Sequence, residues 1–352
     1  MPEETELVLG RFEVFLDDTG AWMQVGKGGF GCVYVAIDTA SGQYVALKRI
    51  FSSVTSDLRE KFRSEYQLLL RLRHENIVGV LDLVELESRV TREKELCIVM
   101  EFVEGGSWAD VVAQGALRLT EVTLKKLLRG ALHGLRYLHD EGIVHRDIKP
   151  ENMLIGGTPS EPTVKLCDFG IAAVLEGTHG TTRNGACTVA YASPELLSRG
   201  RYSAVSDIWS LAITAIHLAT GAVPWRRVVP DFHALEAFPA MFQIACLTSN
   251  KEFDAEAIIP SDLSVELRRM LRSMLDPNPD TRATSSKLLS DPYFADNTAH
   301  SMDTHLFAAA HWSAESFTPP TDPPTETTSD LQSRTKKYKR PPPKGGSPFG
   351  RY

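Results

Sequence analysis

With 352 residues, 43% of them apolar, the chain is long enough for two lobes around a sizeable core. A net charge of −7 and a pI near 5.8 argue against duplex nucleic acid as a partner for the body of the protein. Five cysteines, Cys32, Cys97, Cys167, Cys187 and Cys246, are odd in number and scattered, without a C-x-x-C pair, so a reducing, cytoplasmic compartment and no metal cluster are expected.

The N-terminal MPEETELVLG lacks the charged and apolar regions of a secretory leader, and residues 1–20 read as a short leader merging into the first strand. GKGGFGCVYV follows at 26–35. Gly26, Gly28 and Gly31 form a Gly-x-Gly-x-x-Gly loop, flanked by Ala21, Met23 and Val25 before it and Val33, Val35 and Ile37 after it, all alternating. That predicts a hairpin with a glycine-rich bend, either an ordinary turn or a loop whose amides fold over a phosphate. VALKRI at 45–50 sets Lys48 among apolar neighbours, where it either snorkels or meets an anion. Phe62, Tyr66, Leu69, Leu70 and Arg73 recur at helical spacing, and Glu65 in that helix is a possible partner of Lys48. LCIVMEFVEGGS ends a buried strand in a Gly-Gly hinge.

From Trp108 to Phe294 helices dominate. IVHRDIKPENMLI at 143–155 crowds His, Arg, Asp, Lys and Asn between apolar strands, which is costly unless it does chemistry. Asp147 suits proton acceptance from a hydroxyl, Lys149 neutralisation of a transferring phosphate, and Asn152 an oxygen for a divalent cation. GGTPSEPT at 156–163 is a loop between two short strands, and KLCDFG ends the second with Asp168, a hard oxygen ligand suited to magnesium. The apolar run Ile208–Ala222 contains His217 and is too short to span a bilayer, so it reads as a buried core helix. Beyond Phe294 the chain turns rich in Pro, Thr and Lys, and disorder is expected from about residue 313.

GKGGFGCV, VALK, HRDIKPEN, DFG and ASPE, in this order, resemble the eukaryotic protein kinases over residues 21–294. The resemblance implies an α+β, bilobal fold: a β-rich N-lobe with one main helix over 21–103, a hinge near 101–106, a mainly helical C-lobe over 104–294, and a C-terminal tail over 295–352. It implies ATP and Mg2+ as cofactors. Gly26, Gly28 and Gly31 would cover the phosphates, with Val25 beside them, and Lys48 would bind the α- and β-phosphates and pair with Glu65. Asp147 would act as catalytic base, aided by Lys149 and contacted by Thr188. Asn152 and Asp168 would hold magnesium. Met100 takes the gatekeeper place, Glu101 and Val103 would bond adenine through their backbones, and Val33, Ala46 and Leu154 would sandwich it. Glu195 would pair with Arg282, Asp207 would anchor the catalytic loop, and Leu69, Leu81, His145 and Phe169 would stack as an apolar spine.

Lys149 and Thr188 are similar to the serine/threonine type. WMQVGKGGFGCVYVA, LLLRLRHENIVGVLD and GLRYLHDEGIVHRDIKPEN resemble the sterile group, a mitogen-activated protein kinase kinase kinase fitting best. The implied partner is a protein substrate, a downstream kinase of such a cascade. Asn184 stands where the usual loop phosphothreonine would, leaving Thr178, Thr181 and Thr182, of which Thr181 or Thr182 is the expected phosphosite recruiting Arg146; alternatively Asn184 bonds directly. Cys167 should border the ATP pocket, as an inert packing residue or a thiol that electrophiles trap. RTKKYKR at 334–340 reads as a nuclear address or a contact for an acidic surface, and P-x-x-P at 320–323 as a ligand for an aromatic groove. The alternatives in function are a kinase-fold scaffold with little phosphoryl transfer and a small-molecule kinase, the first opposed by Lys48, Glu65, Asp147, Asn152 and Asp168, the second by ASPE and Thr188.

Overall fold

The computed structural model describes residues 4–28, 31–50, 66, 68–87, 94–113, 119–157, 161–169, 189–249 and 253–295. The N-terminal part is a seven-stranded antiparallel sheet: β1 (Thr5–Val8), β2 (Phe12–Phe15), β3 (Gln24–Gly28), β4 (Gly31–Asp38), β5 (Gln43–Ile50), β6 (Val80–Glu87) and β7 (Lys94–Glu101). The order is β1-β2-β4-β5-β7-β6, with β3 also on β4. β4 pairs with β5 along its whole length, while its other edge is shared: β3 takes the first half, and β2 the second, from Ala36 to Asp38.

Residues 5–15 therefore are a hairpin of the sheet, where a leader is expected from the sequence. The cause is the alternation in FEVF, which buries Phe12 and Val14. These two join Ala36, Val45, Leu47, Cys97 and Val99 in an apolar cluster. That cluster covers the sheet face opposite Ala46 and Lys48, because neighbouring residues of one strand point to opposite faces. Arg11 closes the hairpin onto the sheet, donating to Asp38 at 2.9 Å and 3.0 Å and to Asp82 at 2.8 Å.

Helices dominate the rest: α1 (Trp108–Ala113), α2 (Glu121–Asp140), α3 (Pro194–Arg199), α4 (Ala204–Thr220), α5 (Ala237–Ser249), α6 (Val265–Met274) and α7 (Ser285–Leu289). α4 is apolar nearly all round and correspondingly buried, flanked by the Ser203–Ser206 capping box and by Gly221 at φ 75°. A two-stranded ribbon, β8 (Met153–Gly157) with β9 (Pro162–Leu166), lies between α2 and α3 in sequence. It is tied to the segment ahead of β6 by Val78 N–H to Leu166 O at 2.9 Å and Leu166 N–H to Asn76 O at 2.9 Å. Among the described residues no helix is long and apolar enough to cross a membrane.

Candidate active site

A cavity of about 520 Å3 opens between the sheet and the β8–β9 ribbon. Val25, Gly26, Val33, Ala46, Lys48, Met100, Glu101, Val103 and Leu154 line one part of it, and Asp147, Lys149, Asn152 and Asp168 the other. Strand register explains the first set: Val33 faces Lys48 across β4–β5, and Ala46 faces Met100 across β5–β7. Gly31 does not line it. At Gly31 a Cβ would fall 2.0 Å from the carbonyl oxygen of Arg49, so glycine is required there by the close approach of β5.

The polar end is built around two strained residues. Arg146 has φ 72° and Asp168 φ 64°, in the left-handed region that non-glycine residues seldom adopt. Asp207, buried on the apolar helix α4, holds the first: its carboxylate accepts the N–H groups of His145 and Arg146, each at 2.9 Å, and lies 2.8 Å from His139 Nε2. His139 was not singled out in the sequence; its one signal is its place at the end of α2, six residues ahead of His145 in LHDEGIVH. His145 is fully buried, and burial keeps its imidazole below its ordinary pKa and hence neutral.

Beyond that clamp, Asp147 Oδ2 receives Lys149 Nζ at 2.7 Å and Asn152 Nδ2 at 2.8 Å. Asn152 Nδ2 also reaches the Asp147 carbonyl at 2.8 Å, which aims the amide through its nitrogen and leaves Oδ1 as an oxygen to offer a cation. The Cys167 N–H donates to the Asn152 carbonyl at 3.0 Å and so fixes Asp168 beside it. Lys48 is 2% exposed, and its ammonium is balanced by Asp168 Oδ1 at 2.6 Å. Glu65, the partner read from the sequence, lies outside the described residues, as do Thr181, Thr182 and Thr188. Among the described residues no three His, Cys, Asp or Glu side chains gather to hold a metal by themselves. Asn152 and Asp168 nevertheless fit magnesium, a hard cation commonly held by one or two protein oxygens and completed by phosphate oxygens and water.

One further reading changes. Leu81 is 45% exposed and belongs to no internal stack. The register of β6 against β7 slips there, from Val80 opposite Met100 to Asp82 opposite Val99, so the alternation shifts by one residue. Val80, 5% exposed, takes the inward place, lining a small cavity with Tyr66, Leu69, Val78 and Phe169. His145 meets Phe169 edge-on at 6.2 Å. Cys167 borders the larger cavity, and burial, reinforced by Asp168, pushes its thiol well above the ordinary range, so the sulfur is protonated. Farther off, Arg282 grips Glu195 with two bonds of 2.8 Å.

The pattern of the protein kinase domain matches residues 21–294. This chain belongs to the protein kinase domain family. It is similar to mitogen-activated protein kinase kinase kinase 6 of Homo sapiens, 34% identical over 80% of this chain and 21% of that protein. A probable serine/threonine-protein kinase of Dictyostelium discoideum is 32% identical over 77% of this chain and half of its own length. The serine/threonine-protein kinase cds1 of Schizosaccharomyces pombe is 32% identical over 88% of this chain and 62% of its own. The chain thus spans about half or less of the length of the first two relatives and under two thirds of the third.

Proposed function

We propose that this kinase domain transfers the γ-phosphate of ATP to serine or threonine hydroxyls of proteins. The supporting observation is the bonded set Lys48–Asp168 and Lys149–Asp147–Asn152 at one end of a cavity whose other end is apolar and bounded by strand backbone. Val33, Ala46 and Leu154 give a flat ring two apolar faces, and the main chain of Glu101 and Val103 gives its edge hydrogen-bonding groups. Lys48 places a buried positive charge toward the phosphates. Both donors named above meet Asp147 Oδ2, so a substrate hydroxyl can approach Oδ1, where its proton is accepted. Lys149 then lies beside the transferring group and offsets its charge. Magnesium, when held by Asn152 and Asp168, supplies further neutralisation of phosphate charge. Catalysis on this reading is positioning plus charge compensation.

The similarity to a human mitogen-activated protein kinase kinase kinase supports a place upstream in a mitogen-activated cascade, with a downstream kinase as protein substrate. The scattered cysteines support a cytoplasmic location, and the basic run 334–340 a route into the nucleus, which a fluorescent fusion with and without that run tests. Activity is tested by transfer of labelled phosphate from ATP to a generic basic protein, with magnesium, beside Asp168→Asn. Signal on Ser and Thr that vanishes in the variant is expected. Tight nucleotide binding without transfer, even from a variant with acidic residues at Thr181 and Thr182, would leave a binding scaffold instead.

A further inference from the structure

On the hinge side of the cavity, Lys165 of β9 pairs with Glu101 at the end of β7. Lys165 Nζ lies 2.9 Å from Glu101 Oε1 and donates to Oε2 at 3.1 Å. The lysine side chain is 18% exposed and the glutamate 38%. Glu101 Oε2 also accepts the Gly79 N–H at 3.1 Å, and the Glu101 N–H donates back to Gly79 O at 2.8 Å. Glu101 is thus held by its backbone on one side and by its carboxylate on two. The placement of Lys165 gives this tie a purpose. It stands directly opposite Leu154 in the β8–β9 register, and Leu154 lines the cavity from the ribbon, whereas Glu101 lines it from the sheet. Lys165 does not itself line the cavity.

We propose that Lys165 is a positioning residue for adenine recognition. Its ammonium fixes the Glu101–Val103 main chain at a set height over Leu154, so it tunes nucleotide affinity and leaves the transfer step to Asp147, Lys149 and Lys48. The inference rests on the kinase reading for the identity of the nucleotide, and on the ion pair for the rest. The pair is partly solvated, so its loss should weaken nucleotide binding by roughly three- to tenfold and not abolish it.

The test uses the full chain as wild type, Lys165→Met, Lys165→Arg and the Glu101→Gln, Lys165→Met double variant. Titration calorimetry gives the Kd for ADP with magnesium, and steady-state kinetics on a basic protein substrate give KM for ATP and kcat. Lys165→Met is expected to raise the ADP Kd and the ATP KM by the same factor while kcat stays within about twofold. Lys165→Arg should restore both, and the double variant should bind ADP no more weakly than Lys165→Met. An unchanged ADP Kd, a fall confined to kcat, or an arginine variant as weak as the methionine variant would overturn the proposal. A wild type that binds ADP and transfers nothing would sink the kinase reading while the Kd comparison still decides the role of Lys165. If Lys165→Met loses its folded circular dichroism, Glu101→Gln alone decides, and an unaltered ADP Kd there overturns the proposal.

Discussion

Arg282→Met tests how firmly the last helices are fastened to α3. The guanidinium is wholly buried and uses its fork in full. Nη1 and Nη2 each donate to a Glu195 carboxylate oxygen at 2.8 Å, Nε to the Asp276 carbonyl at 2.8 Å, and Nη1 also to the Val205 carbonyl at 2.9 Å. Its carbon lies 5.2 Å from the Trp209 ring centre, a stacking contact that methionine retains in part. Methionine keeps most of the stem but no donor. Glu195, 8% exposed, would then retain the Ser206 hydroxyl at 2.7 Å. Breaking a buried pair by removing one partner costs about 3–5 kcal/mol. At about 2–4 °C per kcal/mol for a domain of this size, the melting temperature should fall by roughly 6–20 °C.

The sign of the pH dependence is a second check. Burial raises the Glu195 carboxyl, but Arg282 and Ser206 outweigh it and hold the group below the ordinary carboxylate range. A depressed folded pKa contributes stability above the unfolded pKa, about 4.3, and that stability is lost as pH falls through the folded value. Without Arg282, burial prevails, the carboxyl is expected to rise above its unfolded value, and the variant should regain stability as pH drops from 7 toward 5. Circular dichroism melts and urea titrations across that range measure the gap. The double variant Glu195→Gln, Arg282→Met should be more stable than Arg282→Met alone, by about 1–3 kcal/mol. A loss below about 1 kcal/mol at pH 7, or a gap that ignores pH, would refute the reasoning.

Three other outcomes follow from the geometry. Val80→Asp places an unpaired carboxylate where the strand is 5% exposed and should cost about 3 kcal/mol or more, whereas Leu81→Asp, at 45% exposure, should stay within about 0.5 kcal/mol; equal losses in urea titrations would return Leu81 to the interior. Asp207→Ala removes the acceptor of the His145 and Arg146 amides, and with it the restraint on the strained Arg146, so kcat should fall by about 10²-fold with the ADP Kd little altered, and a retained kcat would speak against the clamp. Iodoacetamide at pH 7 should label the exposed Cys246 well before Cys167, whose thiol burial holds well above the ordinary range; peptide mapping that finds both labelled alike at pH 7 would contradict the protonated assignment.

How much of this could be read from the chain depends on how far apart the partners lie. The Lys149–Asp147 and Asp147–Asn152 bonds close within one short segment, so HRDIKPEN spells out its own geometry. The Lys48–Asp168 pair joins distant segments, and only the resemblance to kinases brought both residues to one cavity in advance. The alternation of FEVF is present in the sequence, yet residues 1–20 read as a leader, because nothing local says that a strand will find an open half-edge on β4. Val80 was missed for a different reason: a bulge adds one residue without a composition of its own, so every inward position counted across Leu81 is off by one.

Asp207 is the instructive middle case. A carboxylate on the most apolar helix must find donors or neutralise, so its burial alone demanded a partner from elsewhere in the chain. What the sequence could not state is that the donors would be two successive main-chain amides, His145 and Arg146, the second at a positive φ. Main-chain groups are the same in every residue. A site assembled through them is therefore legible only by its acceptor, and the hinge tie at Gly79, Glu101 and Lys165 shares that property: the amide is silent and the charged side chain is the signal.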